Sequence, residues 1–328
     1  MNTIKTLTKL LCSAGLLAAT AASHAVPLTI THFGDGMYGV PFTVALEKGY
    51  FKEANVDVTG FLTSEGGGSS VRNTLASEIP YGEVALPAAI AAIKQGLPIT
   101  IVNSGVQSLA DLFWVQLKEN NYTSIKDMKG KTMGYSSPKS FSEVVVNSGL
   151  ERAGMTGQVT LKPVGGAATL SIALQQKTVD TSYMTEPAFS DRKGAFKIAF
   201  RATDMMPRAT QTVGIVSTAY LKAHPEVIRG IISARRKGLE YLKANREEGA
   251  KIMAKYYKLE PAVARAALDN CLDADANYWS TGKFDYAGMD EVVNGLVKAK
   301  VIDSGANDWN KIVDESALPA NERKSASK

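Results

Sequence analysis

Between residues 27 and 202, short apolar runs rich in Val, Ile, Thr and Phe alternate with stretches of helical period, and the alternation is run through twice. "PLTITHF" reads as a strand, and "VPFTVALEKG" as a helix opened by Pro41 and stopped by Gly49. "VDVTGFL" is strand-like, residues 69–77 are helical, "GEVAL" is a strand, "PAAIAAIKQG" a helix and "PITIV" a strand. After Gln107 the same grammar restarts with the strand "LFWVQL", a short helix in "SIKDMKGK" and the strand "TMGYS". Next comes "SPKSFSEVVVNSGLERAG", a helix for which Ser137 is the expected cap and Pro138 the first residue. "QVTLKPV", "AATLSIALQQ", "DTSYMTEP" and "FKIAFRA" complete the second round. A helix between two strands carries the chain back to its starting edge, so the pattern predicts largely parallel, doubly wound α/β sheets.

From Val213 the chain offers one more strand, "VGIVS", and then helices at 225–245, 246–257 and 260–270. The polar residues 321–328 are expected to form a disordered tail. Two α/β units and a helical last third predict two lobes, one built from 26–108 with 211–320 and the other from 109–204. The chain would cross between them near 104–108 and 204–211. Ligands of open α/β sheets bind beyond the carboxyl ends of the strands, and in two lobes those ends face one another across a cleft.

The first 25 residues carry Lys5 and Lys9, an apolar run at 10–22, and the small residues Ser23 and Ala25 around His24. This is the pattern of a secretory signal cut after Ala25, and its apolar run is short of the ~20 residues a spanning helix needs. Without the leader, 35 basic residues face 32 acidic ones, a mild net charge of +3 with no basic run of a nucleic-acid surface. Only Cys271 then remains, which rules out an internal disulfide and leaves stability to the core. Two histidines, His32 and His224, are too few for a multi-histidine metal cage. No serine sits in a Gly-x-Ser-x-Gly nucleophile elbow. The reading calls for no cofactor, no metal and no catalytic residue.

"TSEGGGSSVRN" at 63–73 opens a helix with glycines and serines but lacks the Gly-Lys-Ser/Thr ending of a nucleotide loop. What it retains is a helix start whose free N–H groups suit an oxyanion, with the hydroxyls of Ser69 and Ser70 as further donors. "SSPKS" offers a second such start, with Lys139 beside it.

Four blocks, "YGVPFTVALEKGYFKEANVDV", "GGGSS" with "GEVALPAAIAAIKQGLPITIV", "SIKDMKGKTMGYSSPKS" and "ALQQKTVDTSYMTEP", follow one another over residues 28–187. In that order they resemble the periplasmic substrate-binding proteins of ABC importers for sulfonates, taurine, nitrate and thiamine-pyrimidine precursors. The resemblance implies a type II periplasmic-binding fold, two doubly wound α/β lobes joined by two hinge crossings and closing on a small-molecule solute. It also implies a permease and an ATPase subunit as partners, a periplasmic location, and a monomer. The solute expected is small and anionic, a sulfonate, carboxylate or nitrate-like group, with a pyrimidine or thiamine precursor as the alternative. Fungal thiamine-pyrimidine synthases resemble the same fold, but their chemistry uses a histidine and a cysteine-rich segment that this chain lacks.

Carried onto this sequence, the family's binding loops give Asp35, Gly36 and Tyr38 after the first strand, and Gly67, Gly68, Ser69 and Ser70 at the glycine-rich helix start. Pro87 follows "GEVAL"; the second lobe contributes Ser137, Lys139, Ser140 and Phe141, then Gly166 and Ala167, then Glu186. Tyr38 is the aromatic lid on this view. Each has a plainer role open to it: Ser137 as a cap, Lys139 as a solvated lysine, Glu186 as a partner for Arg72. Met205 and Met206 read as hinge packing, and the tryptophans as core or surface anchors.

Overall fold

The structure, a computed structural model, describes residues 26–64, 67–138, 140–305 and 308–324. The expected leader, together with Lys139 of the second helix start, lies outside them. Ten strands are formed: β1 (Val26–Thr31), β2 (Val58–Ser64), β3 (Tyr81–Ala85), β4 (Ile99–Ser104), β5 (Leu112–Leu117), β6 (Thr132–Tyr135), β7 (Thr160–Pro163), β8 (Thr181–Thr185), β9 (Phe196–Arg201) and β10 (Thr212–Ser217). They make two five-stranded sheets, ordered β2-β1-β3-β10-β4 and β7-β6-β8-β5-β9. "VGIVS" thus pairs with β3 and β4 of the first sheet.

Neither sheet is wholly parallel. β1 runs parallel to β2 and β3, and β6 to β7 and β8, as the alternation predicts. β10 is antiparallel to both its neighbours, and so is β5. These two are the strands that enter a sheet directly from a crossing. A chain arriving at the edge where the parallel strands end can only run back against them, whereas a helical connection would have reset its direction.

The crossings, 105–111 and 202–211, are tied to each other. Gly105 N–H donates to the Thr212 carbonyl at 2.9 Å, Gln211 N–H to the Val106 carbonyl at 2.8 Å, and Val106 N–H to Thr212 Oγ1 at 2.8 Å. The two stretches of polypeptide that join the sheets are therefore bonded into one ribbon. A short helix, Ala202–Met205, occupies the start of the second crossing, and Met205 packs against Gly149, where a Cβ would lie 2.6 Å from its sulfur.

Helix Val40–Glu47 lies along helix Pro225–Ala244, and Gly238 is what lets them approach: a Cβ there would stand 2.2 Å from the Pro41 carbonyl oxygen. One residue-turn earlier on the long helix, Arg235 is 1% exposed and reaches the base of the first sheet. Its Nε donates to Glu83 Oε2 at 3.0 Å, while its other nitrogens donate to the carbonyls of Ser280 at 2.6 Å and Gly105 at 3.0 Å. Glu83 is fully buried and also accepts from Thr212 Oγ1 at 2.7 Å. A paired, fully hydrogen-bonded charge thus fastens β3, the long helix and both crossings together.

Two elements differ from the sequence reading. The second helix start is Phe141–Arg152 with Ser140 as its cap, its Oγ accepting from Glu143 N–H at 3.3 Å; Ser137 and Pro138 lie outside the helix and are exposed. In the tail, Glu322 accepts from Arg236 at 2.6 Å and Arg323 donates to the Leu318 carbonyl at 2.8 Å, so the chain is held past Asn321; residues 325–328 lie outside the description.

Candidate functional site

The loops named from the sequence sit at the carboxyl ends of strands in both sheets. After β1 the chain turns sharply: His32 and Gly34 take φ of 51° and 93°, and the N–H groups of Asp35 and Gly36 both donate to the His32 carbonyl, at 3.1 and 2.9 Å. Asp35 is exposed and Gly36 buried, and the turn delivers Tyr38 into a 3-10 turn, Met37–Gly39. Tyr38 is half-buried, and its hydroxyl donates to Gln211 Oε1 at 3.0 Å. The side chain expected as a free lid is therefore moored to the second crossing. Burial, aided by the charges of Asp111 and Glu83, holds its phenol well above the ordinary range, so it stays neutral.

Helix Gly67–Ala76 begins on the two exposed glycines Gly67 and Gly68. Arg72 Nη1 lies 3.1 Å from where a Gly68 Cβ would stand, so a guanidinium sits beside the exposed backbone of this helix start. Ser69 is half-buried, but Ser70 is a correction to the predicted donor set. Ser70 is fully buried, with its hydroxyl 2.5 Å from Ser64 Oγ and donating to Thr31 Oγ1 at 3.2 Å. It ties the helix to the ends of β1 and β2 instead of facing solute. Pro87 is half-buried in the first turn of helix Leu86–Lys94.

The second sheet repeats the device. Ser142, in the first turn of helix Phe141–Arg152, receives the Ser136 N–H at 2.9 Å and lies 2.9 Å from Ser136 Oγ and 3.0 Å from Ser140 Oγ. Ser140 and Phe141 are half-buried and Ser137 is exposed. Gly166 caps helix Ala167–Gln175 without a side chain; it is exposed, and Ala167 is half-buried. The preceding glycine is fixed by Tyr183, whose hydroxyl donates to the Gly165 carbonyl at 2.7 Å.

Glu186 also departs from expectation. It is fully buried and takes hydrogen bonds from Asn270 Nδ2 at 2.6 Å and from the Ser190 N–H and hydroxyl, both at 3.1 Å; Arg72 is exposed on another element. Its backbone N–H donates to the Asp111 carbonyl at 2.9 Å. Asp111, 1% exposed, accepts from Gln211 Nε2 at 2.7 Å. Burial lifts the Asp111 carboxyl to about 6, against the hydrogen bond from Gln211, and burial raises Glu186 as well. Tyr38, Gln211, Asp111, Glu186 and Asn270 therefore form one polar string from the loop after β1, through both crossings, to the residue that follows β8 and on to helix Pro261–Ala274. None of Asp111, Gln211 and Asn270 is among the site residues read from the sequence.

Among the described residues no three or more His, Cys, Asp and Glu are grouped to hold a metal ion, and no helix is long and apolar enough to cross a membrane. Cys271 is fully buried, and burial pushes its thiol well above the ordinary range, which leaves it protonated and without nucleophilic character.

Residues 37–249 match the family described as NMT1/THI5 like. The chain belongs to that family. Among curated proteins this NMT1/THI5-like chain is similar to the riboflavin-binding protein RibY of Chloroflexus aurantiacus, 26% identical over 215 residues covering 63% of this chain. The chain spans only 60% of that relative's length. Among solved structures it is similar to the periplasmic aliphatic sulphonate-binding protein SsuA from Escherichia coli, with a TM-score of 0.73 and 15% identity over 92% of this chain and 96% of that one. The periplasmic nitrate-binding protein NrtA from Synechocystis gives 0.65 and 13%, covering 92% and 91%. The desulfurization enzyme DSZB gives 0.65 and 11%, covering 89% and 97%. At these identities the likeness fixes the fold, that of the periplasmic binding proteins, and the same frame serves an enzyme.

Proposed function

We propose that this NMT1/THI5-like protein is the extracytoplasmic solute-binding component of an ABC import system. It captures a small organic solute between two lobes, 26–108 with 211–320 and 109–204, and delivers it to a membrane permease. The observation that carries the reading is the pair of mutually bonded crossings joining two sheets whose strand ends present exposed glycine and serine loops. Such a frame can close on a ligand by rotation about one ribbon. It is also poor in reacting groups: the buried thiol is protonated, and the buried carboxyls Asp111 and Glu186 are spent on structural hydrogen bonds.

The solute's head is anionic or strongly electronegative, sulfonate, carboxylate or nitrate-like, and meets the start of helix Gly67–Ala76 beside Arg72, where negative charge gains ~0.3–1 kcal/mol from the dipole. A second reading, a heterocycle of the flavin or pyrimidine kind, is favoured by the likeness to a riboflavin-binding protein. The mature chain screened by thermal shift against sulfonates, nitrate, carboxylates, pyrimidines and riboflavin tests both. A true solute at a hundredfold excess over its Kd adds ~2.7 kcal/mol of stability. A panel in which no class raises the melting temperature counts against the reading.

A further inference from the structure

Strands β6, β7, β8 and β9 run one way and β5 runs against them, so the links 118–131, 153–159, 176–180 and 193–195 all gather at one end of the second sheet. That end is opposite the strand ends followed by Ser137 and Gly166. The first link carries Lys118, Lys126, Lys129 and Lys131, all exposed, and the later ones add Lys177 and Lys193, exposed as well. Lys197, the second residue of β9, joins them, since its Nζ donates to Asn121 Oδ1 at 3.0 Å. Against these seven lysines the links hold three carboxylates, an excess of +4. Two of the three are engaged locally. Asp127 takes the N–H groups of Thr123 and Ser124 at 2.8 and 3.0 Å, and Asp180 takes the Thr132 N–H at 2.9 Å. Glu119 stands 3.5 Å from Lys177, and among the described residues no carboxylate pairs with Lys118, Lys126, Lys129 or Lys193. Charges at the adjoining helix ends cancel: Asp191 with Arg192 at 3.2 Å, Glu151 with Lys298 at 2.8 Å, and Arg152 with Glu291. The corresponding links of the first sheet, 54–57, 77–80, 95–98 and 218–224, set Lys222 against Asp57 and Glu78. The basic excess therefore belongs to one end of one sheet.

We propose that this end of the second sheet docks on an anionic lipid surface. A protein interface is built round buried aromatic or arginine anchors and is poor in lysine. Here the cations are lysines, and the large apolar side chains that stand exposed, Leu62 and Ile172, lie on β2 and midway along helix Ala167–Gln175. A lysine ammonium is a flexible, hydrated point charge that asks for no fixed geometry, which suits a fluid plane of phosphate headgroups. Its attraction reaches about 10 Å at 0.1 M salt. Docked in this way, the protein is held at the membrane by charge alone, and the loops at the other end of the sheet stay uncovered. The proposal goes beyond the solute-binding reading and is independent of which solute the loops hold.

The test is flotation of the full mature chain with vesicles of phosphatidylglycerol in phosphatidylcholine, against vesicles of phosphatidylcholine alone. Binding is expected to the anionic vesicles only, and to disappear as salt rises to ~0.5 M. Lys126→Glu, Lys129→Glu and Lys193→Glu together should weaken it by about a hundredfold. Lys52→Glu, Lys222→Glu and Lys283→Glu, three exposed lysines elsewhere with the same change of net charge, should weaken it far less. Both triple variants alter only exposed side chains, and circular dichroism checks that each is folded. No preference for the anionic vesicles, or an equal loss in the two variants, overturns the proposal. So does a chain that ignores the vesicles but binds poly-glutamate through the same lysines, which would make the partner an acidic protein. Thermal shift with solutes is read on the same variants: it should be unchanged by the first triple substitution, so a failure of the lipid assignment leaves the solute-binding reading standing, and the reverse.

Discussion

Around the crossings, charged and amide side chains are buried and each is hydrogen-bonded: Glu83 to Arg235 and Thr212, Gln211 to Asp111 and Ser108, Glu186 to Asn270. At the loops beyond the strand ends the reverse holds, with Gly67, Gly68, Ser137 and Gly166 exposed. The contrast separates two tasks. The hinge specifies one geometry through partners that cannot be replaced singly, because a buried polar group that loses its partner keeps the full cost of desolvation. The loops beyond the strand ends carry glycines and small residues instead, whose exposure costs little.

The comparison is broken most forcefully at the buried ion pair. Arg235→Ala strands Glu83 without its cation and should cost ~3–5 kcal/mol in denaturant unfolding. A loss below ~1 kcal/mol, the size of a surface pair, would show that the pair is not what fastens the crossings. Next in size is a proton linkage. Asp111 titrates near 6 in the folded protein against ~3.9 unfolded, so the folded state holds a proton that the unfolded state has released between those values. Stability should therefore fall as pH rises through that window, by about 3 kcal/mol from this group alone. Glu186 acts in the same direction, and surface carboxyls such as Glu47, lowered by the Lys255 bond, act in the other. The quantity to measure is thus the difference between wild type and Asp111→Asn, which should flatten the curve. The smallest effects sharpen the contrast within the serines. Ser70→Ala, losing bonds to Ser64 and Thr31, should cost ~1–3 kcal/mol of stability, whereas Ser137→Ala should leave stability within ~0.5 kcal/mol.

Much of this was legible in the chain. Apolar runs and helical periods locate β1 to β10, and the stop at Gly49 and the start at Pro225 lie where helices end and begin, because those signals are local. The direction of β5 and β10 was not, since it depends on which edge of a sheet the chain enters. Ser140 and not Ser137 is the cap for a readable reason: Ser140 is followed three residues later by Glu143, the spacing of a cap, and the proline after Ser137 masks it. Ser70 is lost to the solvent side because it faces Ser64 and Thr31 at the ends of two strands distant in sequence. Asp111 and Gln211 were invisible because they meet across 100 residues of sequence. Only the fold brings the two crossings together.

The central claim is that two sheets hinged on one bonded ribbon close around a solute without altering it. Small-angle scattering of the mature chain, titrated with the best compound from the thermal screen and followed by mass-spectrometric recovery of that compound, tests it directly. The account predicts a radius of gyration that falls to a plateau at one equivalent, with the solute recovered intact. An unchanged radius at saturation, or a product that accumulates in proportion to protein and time, would contradict it.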